Sequence, residues 1–132
     1  MNNENVKYEV AFHEYFKPAL ERFYKKKKFK KLPKQVDGLI KEFETGNFSG
    51  KLLKKVGEPI PYELYKKRLP NEDTKAGKSN GYRVIYLVAS ENKVVGLLII
   101  YYKKETSSLS ETYINSLVDD FLATIESDEE ES

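Results

Sequence analysis

The chain has 132 residues, 39% hydrophobic and 33% charged, with a formal net charge of +2, which suits one soluble globular domain around a modest core. It has no cysteine and a single histidine, His13. These counts exclude a disulfide framework, a thiolate metal site and any mechanism that needs two imidazoles, and no metal or other cofactor is expected.

The elements follow in chain order. "KYEVAFHEYF" opens with alternation, Tyr8, Val10 and Phe12 on one side, and predicts a first strand. "FKPALERFYKKKKFKKL" switches to helical spacing, with Phe16, Leu20, Phe23 and Tyr24 on one face and Pro18 placed for a first turn. A second helix follows in "PKQVDGLIKEFETG", its stripe formed by Val36, Leu39, Ile40 and Phe43, with "TGNFSG" as the stop. "NFSGKLLKKVGEPIP" reads as a loop. Three strands are then expected, Tyr62–Leu69, Tyr82–Ala89 and Lys93–Lys104, the last two joined by the short hairpin loop "SENK". "SLSETYINSLVDDFLATI" predicts a closing helix, capped by Ser108 or Ser110 and striped by Ile114, Leu117, Val118, Phe121 and Leu122. The order implies an α+β fold: a small, twisted, mainly antiparallel sheet, with an N-terminal helical hairpin and a C-terminal helix on one side and the opposite face free. Residues 1–125 form the expected domain, and the acidic segment 126–132 is expected to be disordered.

"MNNENVKYEV" lacks the layout of a signal peptide, and the longest apolar run, Val94–Tyr102, is too short for a membrane helix. A cytoplasmic protein without membrane contact is expected. The charge is unevenly spread. Five acids stand in "ESDEEES", so residues 1–125 carry +7, and Lys17–Lys55 alone holds thirteen Lys or Arg against four Asp or Glu. A basic body of this kind suits a polyanion or an acidic protein partner, although a solvated lysine-rich face has the same composition.

Cations also occur inside the strands. Alternation puts Lys66 and Arg68 on one face of Tyr62–Leu69, and Arg83 inside the apolar "YRVIYLVA". The hairpin brings Arg83 near the end of the last strand, with Tyr102, Lys103 and Lys104. A buried arginine needs an anionic partner: a phosphate, or a carboxylate such as Glu63 or Glu105. Clustered cations beside tyrosines suit RNA, the cations taking phosphate and a ring stacking on a base. Lys66 and Lys67 have a plainer reading too, as charges that guard an edge strand. "AGKSNGY" lacks the spacing of a phosphate-binding glycine loop and precedes a strand.

"KAGKSNGYRVIYLV", then "VVGLLIIYYKKE", then "LSETYINSLVDDFL" resembles the C-terminal half of RelE/HigB-type toxins of bacterial type II toxin–antitoxin systems, in the RelE/ParE superfamily. The resemblance implies a metal-independent, ribosome-dependent endoribonuclease that cleaves mRNA and so inhibits translation. It also implies a protein antitoxin, of helix-turn-helix type, as partner beside the ribosome and mRNA. Arg83 matches the family's strand arginine at the scissile phosphate. Lys66 and Arg68 match the basic strand before it, and Lys104 a basic residue after the last strand; these four are the implied catalytic set. Lys78, Tyr102 and Lys103 are candidate RNA contacts, and Lys25, Lys26, Lys27 and Lys28 are candidates for docking on ribosomal RNA. The terminal catalytic tyrosine or histidine of some members has no clear counterpart, with Tyr102 and Tyr113 as the candidates. A ParE-like toxin that inhibits DNA gyrase without cleavage, and a non-catalytic RNA-binding module, are the alternatives on the same fold.

Overall fold

The computed structural model describes residues 7–75 and 77–131. Strand β1 (Glu9–Phe12) leads into helices α1 (Phe16–Lys25) and α2 (Leu32–Glu44). Strands β2 (Lys51–Val56) and β3 (Tyr62–Leu69) follow, then a short 3₁₀ turn at Lys78–Asn80, strands β4 (Tyr82–Ala89) and β5 (Val94–Tyr102), and helix α3 (Glu111–Glu131). The fold is α+β, built on one five-stranded mixed sheet in the order β1-β5-β4-β3-β2. β1 pairs parallel with β5, and every other pairing is antiparallel.

β4 lies at the centre, and all eight of its residues are buried. Its alternation divides the interior into two cores. Tyr82, Val84, Tyr86 and Val88 face α1 and α2, packing with Phe16, Phe23, Leu39 and Phe43. Ile85, Leu87 and Ala89 face the other way, with Leu117, Val118, Phe121 and Ile125 of α3. Each such fully buried side chain stabilises the fold by roughly 1.5–3 kcal/mol. The helices therefore cover both faces, where the sequence reading put them on one. A strand apolar on both sides shows that two layers exist, but not which helix supplies each.

Three further differences have local causes. The segment read as a loop contains β2, an edge strand whose residues are mostly exposed and whose pairing with β3 slips by one residue at Leu53. With adjacent leucines and lysine pairs, "KLLKKV" shows no alternation to read. α1 stops at Lys25, so Lys26–Lys28 lie in the connection to α2, where Lys28 takes a left-handed conformation (φ 63°). α3 continues to Glu131, carrying the acidic segment expected to be disordered as further helix. Glutamate is a good helix former, which accounts for the continuation past the last apolar anchor, Ile125.

Candidate functional site

The strand register assembles a cationic surface on the α3 side of the sheet. Arg68 of β3 faces Arg83 of β4, which in turn faces Tyr101 of β5. On the outer side Lys66 faces Lys51 of β2. Directly opposed like charges destabilise a sheet, so this grouping works against stability. Lys51, Lys66, Arg68 and Arg83 line an open cleft of about 550 Å³, to which Lys67, Lys78 and Lys103 also contribute. Among the described residues, seven cations and no carboxylate line it. Its rim is set by Ser49 and Gly50. Gly50 has φ 110°, and a Cβ there would lie 2.6 Å from the carbonyl oxygen of Lys66, so only glycine lets the chain press this closely on β3. Ser49 is held from below: its N–H donates to the Tyr86 hydroxyl at 3.0 Å, that hydroxyl donates to the Ser49 carbonyl, and Lys67 Nζ donates to Ser49 Oγ at 2.5 Å.

Arg83 is 6% exposed. Its guanidinium donates to the carbonyl oxygens of Lys78 (2.8 Å), Ser79 (3.1 Å) and Tyr82 (3.2 Å). Two of its five N–H groups thus pin the 3₁₀ turn, and a third meets the carbonyl of its neighbour in β4. The carboxylates weighed as its partners are engaged elsewhere. Glu63 accepts from the Tyr65 hydroxyl at 2.7 Å and lies 3.8 Å from Lys55. Burial and that hydrogen bond push the Tyr65 hydroxyl up to about 12. Glu105 pairs with Arg22 at 2.6 Å and Lys27 at 2.8 Å, and the Arg22 hydrogen bond leads in holding its carboxyl below the usual carboxylate range.

Lys66 has a lowered pKa. Partial burial is the first cause, followed by the charges of Lys51, Arg83, Lys103 and Arg68. Each is a neighbour that disfavours a further positive charge. Lys103 reaches the same cleft, with its ammonium donating to the Ser107 carbonyl at 3.0 Å.

Of the residues singled out in the sequence, Lys66, Arg68, Lys78, Arg83 and Lys103 come together. Lys104 and Tyr102 do not. Counting from the hairpin loop, a regular ladder would set Arg83 opposite Ile100, with Tyr102 and Lys104 on its face. A one-residue bulge at Leu98, between the pairs Ile85–Ile99 and Tyr86–Leu97, shifts the register so that Arg83 faces Tyr101. Tyr102 consequently points into the α1–α2 core, where its ring meets Phe23, Phe29 and Tyr82 and is 7% exposed. It lies there on the opposite face of the sheet from Arg83 and Tyr101. Lys104 is exposed and stands outside the cleft lining. Lys25–Lys28 are also exposed and outside it, with Lys25 paired to Glu21 and Lys27 to Glu105. Sequence reasoning missed Lys51, whose strand was not recognised. The Gly50–Lys51 step after a polar turn was the one signal pointing to it.

Among the described residues no group of three or more His, Cys, Asp or Glu is placed to hold a metal ion, and no helix is long and apolar enough to cross a membrane. No protein-family model, curated protein or solved structure matches the chain.

Proposed function

We propose that the chain is a RelE/HigB-type toxin acting in the cytoplasm as a metal-independent, ribosome-dependent mRNA endoribonuclease. The observation that carries this reading is the seven-cation, carboxylate-free cleft around a lysine of lowered pKa. A cleft of that charge suits the phosphates of a strand.

In the proposed reaction the neutral form of Lys66 takes the proton of a ribose 2′-hydroxyl. The 2′-oxygen attacks the adjacent phosphorus, and the bond from phosphorus to the 5′-oxygen breaks. Arg68 and Arg83 neutralise the charge that builds on the phosphorane. The departing 5′-oxygen takes a proton from an ammonium of the same cluster. The products are a 2′,3′-cyclic phosphate and a 5′-hydroxyl, with no water or metal consumed. The basic residues around the α1–α2 connection serve to dock on ribosomal RNA, a contact to phosphates without base readout. A helix-turn-helix antitoxin is the proposed protein partner, covering the cleft when the toxin is held inactive.

The test is to add the purified protein to ribosomes programmed with a defined mRNA and to map the 5′ ends formed. Cuts bearing a 5′-hydroxyl, absent with Lys66→Ala or Arg68→Ala, are expected. RNA binding without cleavage would leave a non-catalytic RNA-binding module, and loss of gyrase activity without mRNA cuts would favour the ParE-like alternative.

A further inference from the structure

A second cavity, of about 460 Å³, adjoins the cationic cleft and shares Lys66 with it. Its walls are of a different kind. Leu53, Leu64, Leu109 and Ile114 make it apolar, and Tyr101 supplies an aromatic ring. Tyr101 is also the ladder partner of Arg83, so the ring of one cavity stands beside the guanidinium of the other, on the same face of the sheet. Glu111 and Asn115, one helical turn apart at the start of α3, add a carboxylate and an amide to the lining, which Lys54 and Ser108 complete at the edge strand and before the helix. An apolar chamber with a few polar groups, opening beside a phosphate-binding cleft, has the make-up of a base pocket.

We propose that this cavity receives a nucleobase of the strand whose phosphate lies in the cleft, and that Glu111 and Asn115 read the edge of that base. The inference rests on the cleft being an RNA site. Continuity through Lys66 selects the occupant: a nucleotide that meets Lys66 by its phosphate carries its base into the adjoining chamber. An apolar peptide would fill the chamber but leave the adjoining cations without a partner. The ionised carboxylate of Glu111 accepts hydrogen bonds and donates none. It therefore favours bases that carry an amino group, namely guanine, adenine and cytosine. Uracil, whose single pairing-edge donor, N3–H, is flanked by two carbonyl oxygens that repel the carboxylate, is the least favoured.

The test uses the full-length protein and a short single strand made uncleavable by 2′-deoxy substitution at every position. Affinity is measured with each base replaced by an abasic site, and over a range of salt. At one position the abasic substitution should weaken binding by about 10-fold, the scale of one base stacked on an aromatic side chain. At that position uracil should bind more weakly than cytosine, and Glu111→Gln should narrow the difference. Ile114→Trp, which fills the chamber, should abolish the abasic effect while keeping the salt slope set by the phosphates. If binding is salt-dependent and lost in Arg68→Ala but no position responds to base removal, the pocket is refuted and the cleft stands. If Arg68→Ala and Lys66→Ala bind as well as the unaltered protein, both readings fall. Glu111→Gln needs no repacking, so a misfolded Ile114→Trp variant still leaves the base preference to decide.

Discussion

Arg83 is the sharpest place to perturb the protein, because it serves both the fold and the cleft. Arg83→Ala removes three donated hydrogen bonds. Lys78 and Ser79 are exposed, so water can take over at their carbonyls, whereas the bond to the Tyr82 carbonyl lies in the interior. The net loss of stability should be about 1–3 kcal/mol. Against a typical total of about 5–15 kcal/mol the variant stays folded. The loss of cleavage should be larger, roughly 10²–10³-fold, as for other single contacts to a transition-state oxyanion. Arg83→Lys separates the two roles. Its ammonium keeps the charge but cannot fork across three carbonyls, so RNA affinity should hold better than the cleavage rate. The assays are urea denaturation and single-turnover cleavage of ribosome-bound mRNA. A folded Arg83→Ala protein that cleaves at the unaltered rate would refute the phosphate role. A variant that fails to fold at all would show that the hydrogen bonds of this side chain within the fold are its dominant function.

Three other outcomes are expected. Cleavage should rise with pH and level off below the range of an ordinary lysine, since Lys66 must shed its proton; Lys51→Gln removes a neighbouring charge that favours that loss, so the rising limb should move to higher pH. A pH–rate profile unmoved by Lys51→Gln would exclude Lys66 as the base. Gly96→Ala would set a Cβ 2.6 Å from the Phe121 ring, and by overpacking should cost about 1–3 kcal/mol, seen as a lowered urea midpoint that Phe121→Leu partly restores. An unchanged midpoint would mean that α3 is not seated on β5 through this ring. Neutralising Lys25, Lys26, Lys27 and Lys28 together should flatten the log–log salt dependence of ribosome binding by roughly 0.7–0.9 for each phosphate that no longer meets a lysine, and an unchanged slope would remove these lysines from docking.

The central strands were legible because their signal is local. The runs 62–69 and 82–89 are bounded by proline, glycine and polar residues, and β3 and β4 occupy those same spans. Both helices of the hairpin followed from their apolar stripes. What failed depended on information held between segments. Nothing in "VVGLLIIYY" marks Leu98 as the residue left over in the ladder, yet that one bulge decides that Tyr101 and Lys103 join Arg83 and that Tyr102 does not. Lys51 was missed for a related reason: β2 is an exposed edge strand whose residues gain their order from pairing with β3 rather than from their own pattern. Arg83 was correctly singled out as a buried charge in need of partners. Its partners proved to be backbone carbonyls, which no sequence pattern distinguishes from a carboxylate.

The parallel pairing of β1 with β5 has a consequence for the life of the chain. Glu9 finds its ladder partner only at Val94, so the first of the described strands is completed by the last of them. Contacts of such separation close late and slow folding. While a ribosome is still making this protein, β1 and the hairpin behind it have emerged, but the strand that they must flank is still being made or lies in the exit tunnel. The cleft is similarly late, since Arg83 and Lys103 must both be out before its two sides can meet. The cleft is therefore not assembled until nearly the whole described chain has been made.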